Sequence, residues 1–328
     1  MDAHPYAALT PDLALDAIES LGHRCDGRLL ALNSYENRVF LAGLEDGGAL
    51  VAKFYRPGRW TDAQILEEHA FAAELAEREI PVVAPLPAAD GKSLNDFGGF
   101  RFALFPKRPG RAPELDRDET LLIMGRFLGR IHAVGALVPF RHRPRLDIAT
   151  FGREPLDFLL GSGLLPPDLA ATYQSVARDT LARVENAWGR AGAPRFIRAH
   201  GDCHAGNVLW TSAGPHFVDL DDCRMAPAVQ DLWMLLPGER GADQSALAQV
   251  LRGYREFCDF NPAELALIEP LRTLRMLHYS AWIARRWDDP AFPAAFPWFG
   301  TQRYWQDQIL QLREQSAALD EPPLEMPG

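Results

Sequence analysis

The feature that most constrains the fold of this 328-residue chain is the run His200-Gly201-Asp202-Cys203-His204-Ala205-Gly206-Asn207. It places the carboxylate of Asp202 five residues before the amide of Asn207. A kinase catalytic loop needs this spacing, because the carboxylate accepts the proton of the acceptor hydroxyl while the Asn oxygen reaches a magnesium ion. The run therefore predicts a phosphoryl-transfer centre, with Asp202 as the base and Asn207 as a metal ligand.

A second carboxylate follows close behind. Asp219 ends the short run His216-Phe217-Val218, which is typical of a strand, and Gly214 and Pro215 are turn signals of a hairpin before it. Carboxylate and amide oxygens are ligands that Mg²⁺ prefers in proteins. We therefore predict that Asp219 is a catalytic residue that completes the magnesium site.

Two other interpretations of these residues stay open. The two histidines and the aspartate at 200–204 and the three aspartates at 219–222 are ligand types found in metal-dependent hydrolases. Asp and Asn side chains also make local hydrogen bonds that only stabilise a loop. The hydrolase interpretation leaves the N-terminal third of the chain unexplained, whereas a kinase requires a nucleotide site there.

That third has the pattern of an antiparallel sheet. Alternating segments at 28–32, 39–44 and 49–55 predict three strands, with a Gly-containing turn at 45–48. Lys53 is the lone cation of the third strand, and a buried strand tolerates a lysine only if it is paired. We predict that Lys53 contacts the phosphates of ATP and pairs with a Glu of the next helix.

The next helix is marked by Thr61-x-x-Gln64, which fits a capping box. Its apolar positions recur at helical spacing at Ile65, Phe71, Ala72 and Leu75. Glu68 lies three residues before Phe71, on or beside this apolar face, so it is the predicted partner of Lys53 in the nucleotide site. The adjacent Glu67 is the alternative.

A loop that contacts phosphates is expected between the first two strands, at Leu32–Arg38. The loop contains no glycine, so backbone amides and polar side chains would have to make the contacts, and Ser34 is the best placed of these. An ordinary polar turn is the competing interpretation, since Asn and Ser are common in turns.

The remaining pattern divides the chain into two lobes. Phe100–Phe105 is typical of a last strand, and the Pro- and Gly-containing segment Pro106–Arg111 predicts a hinge, with adenine bound near it. Beyond the hinge, capping signals and periodicity predict helices beginning near Asp116-x-x-Glu119 and over residues 168–188, 229–236, 245–257, 262–287 and 302–319. The predicted fold is α+β, bilobal and protein-kinase-like, with a nucleotide-binding lobe at 1–106 and a mainly helical catalytic and substrate-binding lobe at 107–328.

Composition limits the partners. A net charge of −10 argues against general binding to nucleic acid or acidic membranes, and no apolar run approaches the roughly 18 residues of a membrane span. The N-terminus Met1–Pro5 lacks the basic and apolar regions of a signal peptide, so we expect the protein to stay in the cytoplasm. We also expect a monomer. The four cysteines are scattered, and packing is the favoured role of Cys203 and Cys223, with redox sensing as a hypothesis.

Long segments of the chain resemble the bacterial stress response kinase A family, a branch of the fold shared by aminoglycoside phosphotransferases and choline kinases. The similar segments are Leu32–Val39, Val51–Pro57, Gln64–His69, His200–Leu209 and Gln230–Leu236. The resemblance implies Asp202 as proton acceptor, Asn207 and Asp219 as magnesium ligands, and Ser34 as an ATP-site residue. It also implies ATP-dependent phosphorylation of protein Ser and Thr in a cytoplasmic response to oxidative or envelope stress.

Chain length after Asp219 and the family resemblance point to different classes of phosphate acceptor. Only residues 220–228 separate Asp219 from the next predicted helix, too few for a long activation segment, which favours a small-molecule acceptor of the aminoglycoside, choline or homoserine kind. The resemblance favours a protein acceptor, and we follow it. Three further carboxylates have two possible roles: they would either hold a basic acceptor or, as we favour, position the residues that contact the metal and the substrate. They are Asp221, Asp222 and Asp231.

Overall fold

The computed structural model describes residues 4–326 and groups the chain into two compact units. Unit 1 comprises Met1–Pro113, Phe140–Arg143 and Ala205–Cys223, and unit 2 comprises Glu114–Pro139, Pro144–His204 and Arg224–Gly328. Residues 1–3 and 327–328 lie outside the described residues. Residues 1–3 belong to the N-terminal segment on which the prediction of no signal peptide rested. The division into a nucleotide-binding lobe at 1–106 and a catalytic lobe at 107–328 stays a prediction, because the two units reflect packing and not function.

The regular elements are numbered in chain order. The strands are β1 (Cys25–Ala31), β2 (Arg38–Leu44), β3 (Ala49–Phe54), β4 (Asn95–Phe97), β5 (Phe100–Pro106), β6 (Ile197–Ala199), β7 (Val208–Thr211), β8 (Gly214–Phe217) and β9 (Arg224–Ala226). The helices are α1 (Pro11–Glu19), α2 (Asp62–Glu77), α3 (Asp118–Gly135), α4 (Glu154–Gly161), α5 (Pro167–Arg190), α6 (Val229–Trp233), α7 (Arg240–Tyr254), α8 (Ile268–Ala284), α9 (Ala291–Ala295) and α10 (Gln302–Asp320). Short 3-10 turns cover Ala205–Asn207, Leu220–Asp222 and Pro262–Leu267, and a π-helical turn covers Ala149–Arg153. Among residues 4–326, no helix is both long and apolar enough to cross a membrane.

Unit 1 is built on an antiparallel sheet with the strand order β1-β2-β3-β5-β4. The three predicted N-terminal strands are present, each within a few residues of its predicted bounds. Their turn fits its sequence, since Gly47 has a φ of 84° and Gly48 donates its amide to the Asp46 carboxylate at 2.8 Å.

The two faces of this sheet bury different helices because side chains alternate along a strand. Ala52 and Phe54 of β3 point to the face covered by α1, where they join Ile18 in one core. The opposite face packs Ala103 of β5 with Ile65 of α2. Lys53 lies opposite Ala103 in the β3–β5 register, so the alternation directs its side chain toward α2.

Helix α2 begins as its sequence predicts. The Thr61 hydroxyl accepts the amide of Gln64 at 3.3 Å, and the Gln64 side chain accepts the amide of Thr61 at 2.9 Å, which is a complete capping box. The helix buries Glu68 together with Ile65 and Phe71 on its inner face. The cap therefore fixes where the helix starts, and the apolar spacing turns a carboxylate toward the sheet.

The hairpin β7–β8 also belongs to unit 1 and leads into Asp219. Its strands pair from Val208 opposite Phe217 to Thr211 opposite Gly214, so Gly214 and Pro215 lie in β8 and not at the turn where the sequence placed them. The amide of Val218 donates to the backbone carbonyl of Asn207 at 3.0 Å. This bond ties the end of the catalytic-loop motif to the residue before Asp219.

Unit 2 is mainly helical, and its only paired strands among the described residues are β6 and β9. The α+β class with an N-terminal antiparallel sheet is confirmed. The capping box predicted at Asp116-x-x-Glu119 is wrong, because Arg117 occupies the N-cap of α3 without a side-chain bond. The predicted helix at 262–287 is also divided, since Asn261 caps a 3-10 turn that precedes α8.

Helices α3 and α7 pack closely because glycines face the partner backbone. A Cβ on Gly125 would collide with the carbonyl of Val250, and one on Gly253 would collide with that of Leu122. Helix α3 carries His132 and α7 ends at Tyr254. Close helix packing therefore brings two polar side chains together beneath the loop that follows β6.

Candidate active site

In unit 1 the site is organised around Lys53. Its Nζ lies 3.7 Å from Oε1 of Glu68, 2.9 Å from Oδ1 of Asp219 and 3.2 Å from Oδ1 of Asp221. The Lys53 side chain is only 7% exposed. The predicted ion pair between Lys53 and Glu68 is confirmed, and two further carboxylates share the same ammonium group.

Two arginines offset the remaining negative charge. Arg59 pairs with Asp221 and, at 2.9 Å, with Asp222. Arg143 lies 4.0 Å from Oε2 of Glu68. Buried charges must be paired to be tolerated, so these contacts explain how the buried carboxylates Glu68 and Asp221 coexist near Lys53.

The two buried carboxylates around Lys53, Glu68 and Asp221, differ in their pKa values. Burial, together with Asp221, raises the pKa of Glu68 to about 7, although Lys53 opposes this shift. Burial also acts to raise the pKa of Asp221, but Arg59 and Lys53 outweigh it and hold that pKa at about 2. Burial disfavours the charged form of Lys53, yet its carboxylates raise its pKa well above the ordinary value. Lys53 and Asp221 are therefore charged near neutral pH, and Glu68 takes up a proton at a higher pH than Asp221 does.

Asp219 differs from the other two carboxylates in its exposure. Its side chain is 53% exposed, against 4% for both Glu68 and Asp221. The residue has a left-handed backbone, with φ 57° and ψ 62°, a conformation that Asp adopts more readily than most residues. Asp219 thus pairs with Lys53 while keeping an accessible face. Within the described part of the chain, no group of three or more His, Cys, Asp or Glu side chains is arranged as a metal site.

The loop between β1 and β2 is held by its own hydrogen bonds. The Ser34 hydroxyl donates to the carbonyl of Asn37 at 3.1 Å, and the side-chain oxygen of Asn37 accepts the amide of Arg56 at 3.1 Å. The role of Ser34 in ATP binding stays a prediction. Glu67, the alternative partner for Lys53, instead accepts the backbone amides at 141–143.

In unit 2 the predicted base, Asp202, is held by a residue that the sequence did not single out. Nη1 of Arg275 on α8 lies 2.5 Å from Oδ1 of Asp202. Nε2 of His204 lies 3.5 Å from the other oxygen, Oδ2. The carboxylate is 22% exposed, so it is oriented by these groups while remaining accessible.

The backbone of the same loop is fixed from below by Asp231. One oxygen of Asp231 accepts the amide of His200 and the other accepts that of Gly201, both at 2.8 Å. Nε2 of His132 lies 2.9 Å from Oδ2 of Asp231, and Nδ1 of the same ring lies 3.0 Å from the Tyr254 hydroxyl. These contacts show that Asp231 holds the backbone of this loop, and its support of a metal or acceptor site stays a prediction.

This network is fully buried. Asp231 and His132 have no exposed surface, and burial by itself would raise the pKa of Asp231. The hydrogen bond and the charge of His132, followed by His200 and the Gly201 amide, lower that pKa below its usual value. Asp231 therefore remains an ionised acceptor that holds two successive backbone amides.

Known proteins are similar to this chain in sequence over nearly its whole length. The model of the phosphotransferase enzyme family matches residues 28–268. Stress response kinase A of Escherichia coli strain K12 is 45% identical over 324 residues, which cover 99% of this chain and 98% of that protein. The chain belongs to the stress response kinase A family of phosphotransferases. A Salmonella typhimurium strain LT2 relative named serine/threonine protein kinase RdoA is 43% identical over 325 residues, with the same coverage of both chains.

Solved structures share the fold at lower identity. Amicoumacin kinase hAmiN, in complex with AMP-PNP, Ca²⁺ and amicoumacin, has a TM-score of 0.72 at 20% identity, covering 93% of this chain and 92% of that one. The microcompartment-associated aminopropanol kinase has a TM-score of 0.67 at 17% identity, covering 93% and 96%. These likenesses confirm the predicted phosphotransferase fold.

Two cysteines are neighbours of the candidate site residues in the sequence. Cys203 and Cys223 are both fully buried. Burial raises the pKa of the Cys203 thiol well above its ordinary value, and the carboxylates of Asp231 and Asp202 add to the shift. A buried neutral thiol is a poor nucleophile, which favours the packing interpretation over redox sensing.

Proposed function

We propose that the protein is a cytoplasmic, ATP- and Mg²⁺-dependent kinase that transfers the γ-phosphoryl group to Ser or Thr of a protein. The observation that carries the proposal is the buried Lys53, paired with Glu68 of α2 and with Asp219 after β8. A kinase needs such a lysine for the nucleotide phosphates and such an aspartate for the metal. We also propose that it acts as a monomer, without nucleic acid or a membrane.

The residues present fit a nucleotide and a divalent cation. Lys53 contacts three carboxylates, so Asp219 can turn to a cation without leaving the ammonium group unpaired. Asp219 is also the exposed member of the three. Together with Asn207 it offers the oxygen ligands that Mg²⁺ prefers, and the bound ion would neutralise charge on the phosphates. The nucleotide analogue and divalent ion bound to hAmiN, a protein of the same fold, support this part of the proposal.

The proposed role of Asp202 is to orient the acceptor hydroxyl and take its proton. A general base must have an accessible carboxylate oxygen in a fixed orientation. Arg275 holds Oδ1 of Asp202 in place. Asp231 accepts the backbone amides of the two residues that precede Asp202, which fixes the loop that carries it. The proton would pass to Oδ2 as the acceptor oxygen bonds to phosphorus.

A protein acceptor is supported by the name of the Salmonella relative, a serine/threonine protein kinase. The second candidate is a small-molecule kinase. It is favoured by the short connection from Asp219 to α6, in which residues 220–228 hold only a 3-10 turn and β9. It is also favoured by fold neighbours whose names are those of small-molecule kinases.

The test is transfer of labelled γ-phosphate from Mg-ATP by the wild type, Asp202→Ala and Asp219→Ala. The acceptors are a generic basic protein, an acidic protein, and separately a panel of amino alcohols and aminosugars. We expect label on protein Ser or Thr and a loss of about 10²–10⁴-fold or more in each variant, because each loses a group required for transfer. Asp219→Ala should also weaken Mg²⁺-dependent nucleotide binding.

Asp307→Ala is the matched control, since it removes a carboxylate that is 57% exposed on α10. It should transfer phosphate at the wild-type rate. Near-normal transfer by either active-site variant would contradict the assignment. Label on small molecules alone would establish the second candidate.

A further inference from the structure

The side chain next to the proposed base carries a positive charge that solvent can reach. Arg275 contacts Asp202 through Nη1, and 40% of its side chain is exposed. A guanidinium group has five N–H donors in a planar fork, which suits a carboxylate held by two parallel bonds. The contact with one Asp202 oxygen therefore leaves donors that a second anionic group can reach.

The three acidic residues that the sequence offered for holding a basic acceptor are engaged in contacts within their own units. Asp231 is buried and accepts two backbone amides and the ring of His132. Asp221 is buried between Lys53 and Arg59, and Asp222 pairs with Arg59. None of these three carboxylates is available to an incoming ammonium group without breaking an internal contact.

The exposed group that contacts Asp202 at Oδ1 is instead a cation, the Arg275 guanidinium. His204, whose Nε2 lies 3.5 Å from Asp202, is 42% exposed and adds a second potential hydrogen-bond donor at the same carboxylate. An ammonium group next to the acceptor hydroxyl would lie within a few ångströms of the Arg275 guanidinium. Like charges at that distance repel, whereas a carboxylate in the same place would be attracted.

We propose that the acceptor hydroxyl has a carboxylate beside it and that Arg275 binds this carboxylate. In a protein the acceptor is then a Ser or Thr flanked by Asp or Glu; the same chemistry would also select a free hydroxy acid. The inference rests on the proposed kinase function and names its substrate class. In the transfer step, the hydroxyl proton passes to Asp202, the acceptor oxygen bonds to the γ-phosphorus, and the bond from that phosphorus to the bridging oxygen breaks to release ADP.

The experiment measures kcat and KM for two peptides that share a single Ser and differ only in whether Glu or Lys flanks it. Glycerate and ethanolamine serve as the matched small molecules. We expect the wild type to favour the Glu peptide at least tenfold in kcat/KM. Arg275→Gln should lose that preference through a rise of at least tenfold in KM for the Glu peptide, with KM for ATP unchanged. Arg275→Lys keeps the charge and should retain part of the preference.

Arg303→Gln is the control for loss of a surface charge, because Arg303 on α10 is 90% exposed. It should keep the wild-type preference. Phosphorylation of glycerate without the Glu peptide would identify a free hydroxy acid as the source of the carboxylate, and the reverse would identify a protein.

Three outcomes would overturn the inference. Equal use of the two peptides by the wild type, or a preference for Lys or ethanolamine, would refute the acidic acceptor while leaving the kinase function intact. A preference that survives in Arg275→Gln would refute the role of that residue. Absence of Asp202-dependent transfer to every acceptor would refute both the inference and the proposed function.

Discussion

A buried network of charged and polar groups lies around Lys53 in unit 1 and another around Asp231 in unit 2, and the two are organised differently. In unit 1, the ammonium group of Lys53 is shared by three carboxylates at 2.9 to 3.7 Å. In unit 2, the carboxylate of Asp231 is matched by two backbone amides and the ring of His132. The first network holds more acceptors than its lysine requires, whereas every acceptor of the second has a dedicated donor.

The difference teaches which of the two networks can rearrange. A shared ammonium group can release one carboxylate to a bound cation and still be paired, so the Lys53 network can respond to a ligand. The Asp231 network has no second carboxylate to replace Asp231. Removing Asp231 would leave several buried donors without an acceptor, and each unpaired buried donor lowers stability. The Lys53 network suits binding, and the Asp231 network suits holding a loop in one conformation.

The largest expected effect comes from breaking the Asp231 network, which we call the saturated network because each of its acceptors has its own donor. Asp231→Ala should lower the free energy of unfolding by about 3–5 kcal/mol, because it strands two backbone amides and His132 in a fully buried site. Urea denaturation followed by circular dichroism measures the loss. Phosphate transfer should fall as well, since the backbone that carries Asp202 loses its support.

Asp307→Ala removes a carboxylate from an exposed pair on α10 and should change the free energy of unfolding by less than about 0.5 kcal/mol. A loss in Asp231→Ala as small as that of Asp307→Ala would show that the donors around Asp231 find other partners and that its network is not saturated.

The shared network around Lys53 should make the free energy of unfolding depend on pH. The pKa of Glu68 is raised from 4.5 to about 7 in the folded protein, so the folded state holds this proton more tightly than the unfolded chain does. The free energy of unfolding should therefore fall as pH rises from about 5 to 7, by up to roughly 3 kcal/mol at 1.36 kcal/mol per pKa unit. Glu68→Gln, which cannot ionise, should lack this fall, and urea denaturation at several pH values compares the two proteins.

The neighbouring variant Glu67→Gln is the matched control. Three backbone amides lower the pKa of Glu67 against the opposing effect of burial, so its contribution to stability is lost only below about pH 4.5. The difference between wild type and Glu67→Gln should be constant from pH 5 to 8. A constant difference for Glu68→Gln as well would show that Glu68 ionises normally and that three carboxylates do not compete for Lys53.

Sequence pattern identified the local parts of both networks and missed the long-range ones. The capping box at Thr61 and the apolar spacing of α2 were sufficient to place Glu68 beside Lys53, because each is a short-range signal. The capping box predicted at 116–119 failed because the same residue types also occur where no cap forms.

Arg275 and Asp202 are separated by 73 positions, and His132 and Asp231 by 99. Periodicity shows that a helix has a buried face, but it does not show which distant loop that face meets. An arginine in the middle of α8 therefore carried no local signal of its role. The glycines that let α3 approach α7 were visible as residues, but the collisions they avoid became visible only in the packed structure.

The smallest expected effect lies at the edge of the saturated network. Tyr254→Phe keeps the ring but removes the hydroxyl that lies 3.0 Å from Nδ1 of His132, so the free energy of unfolding should fall by about 1 kcal/mol. Because Asp231 holds the loop amides directly, kcat should stay within about twofold of the wild type. In the Asp231→Ala background, His132 has already lost its other partner, and the added Tyr254→Phe change should cost measurably less than it does alone. An undiminished cost there would place the hydroxyl outside the network and reduce it to a local contact between α3 and α7.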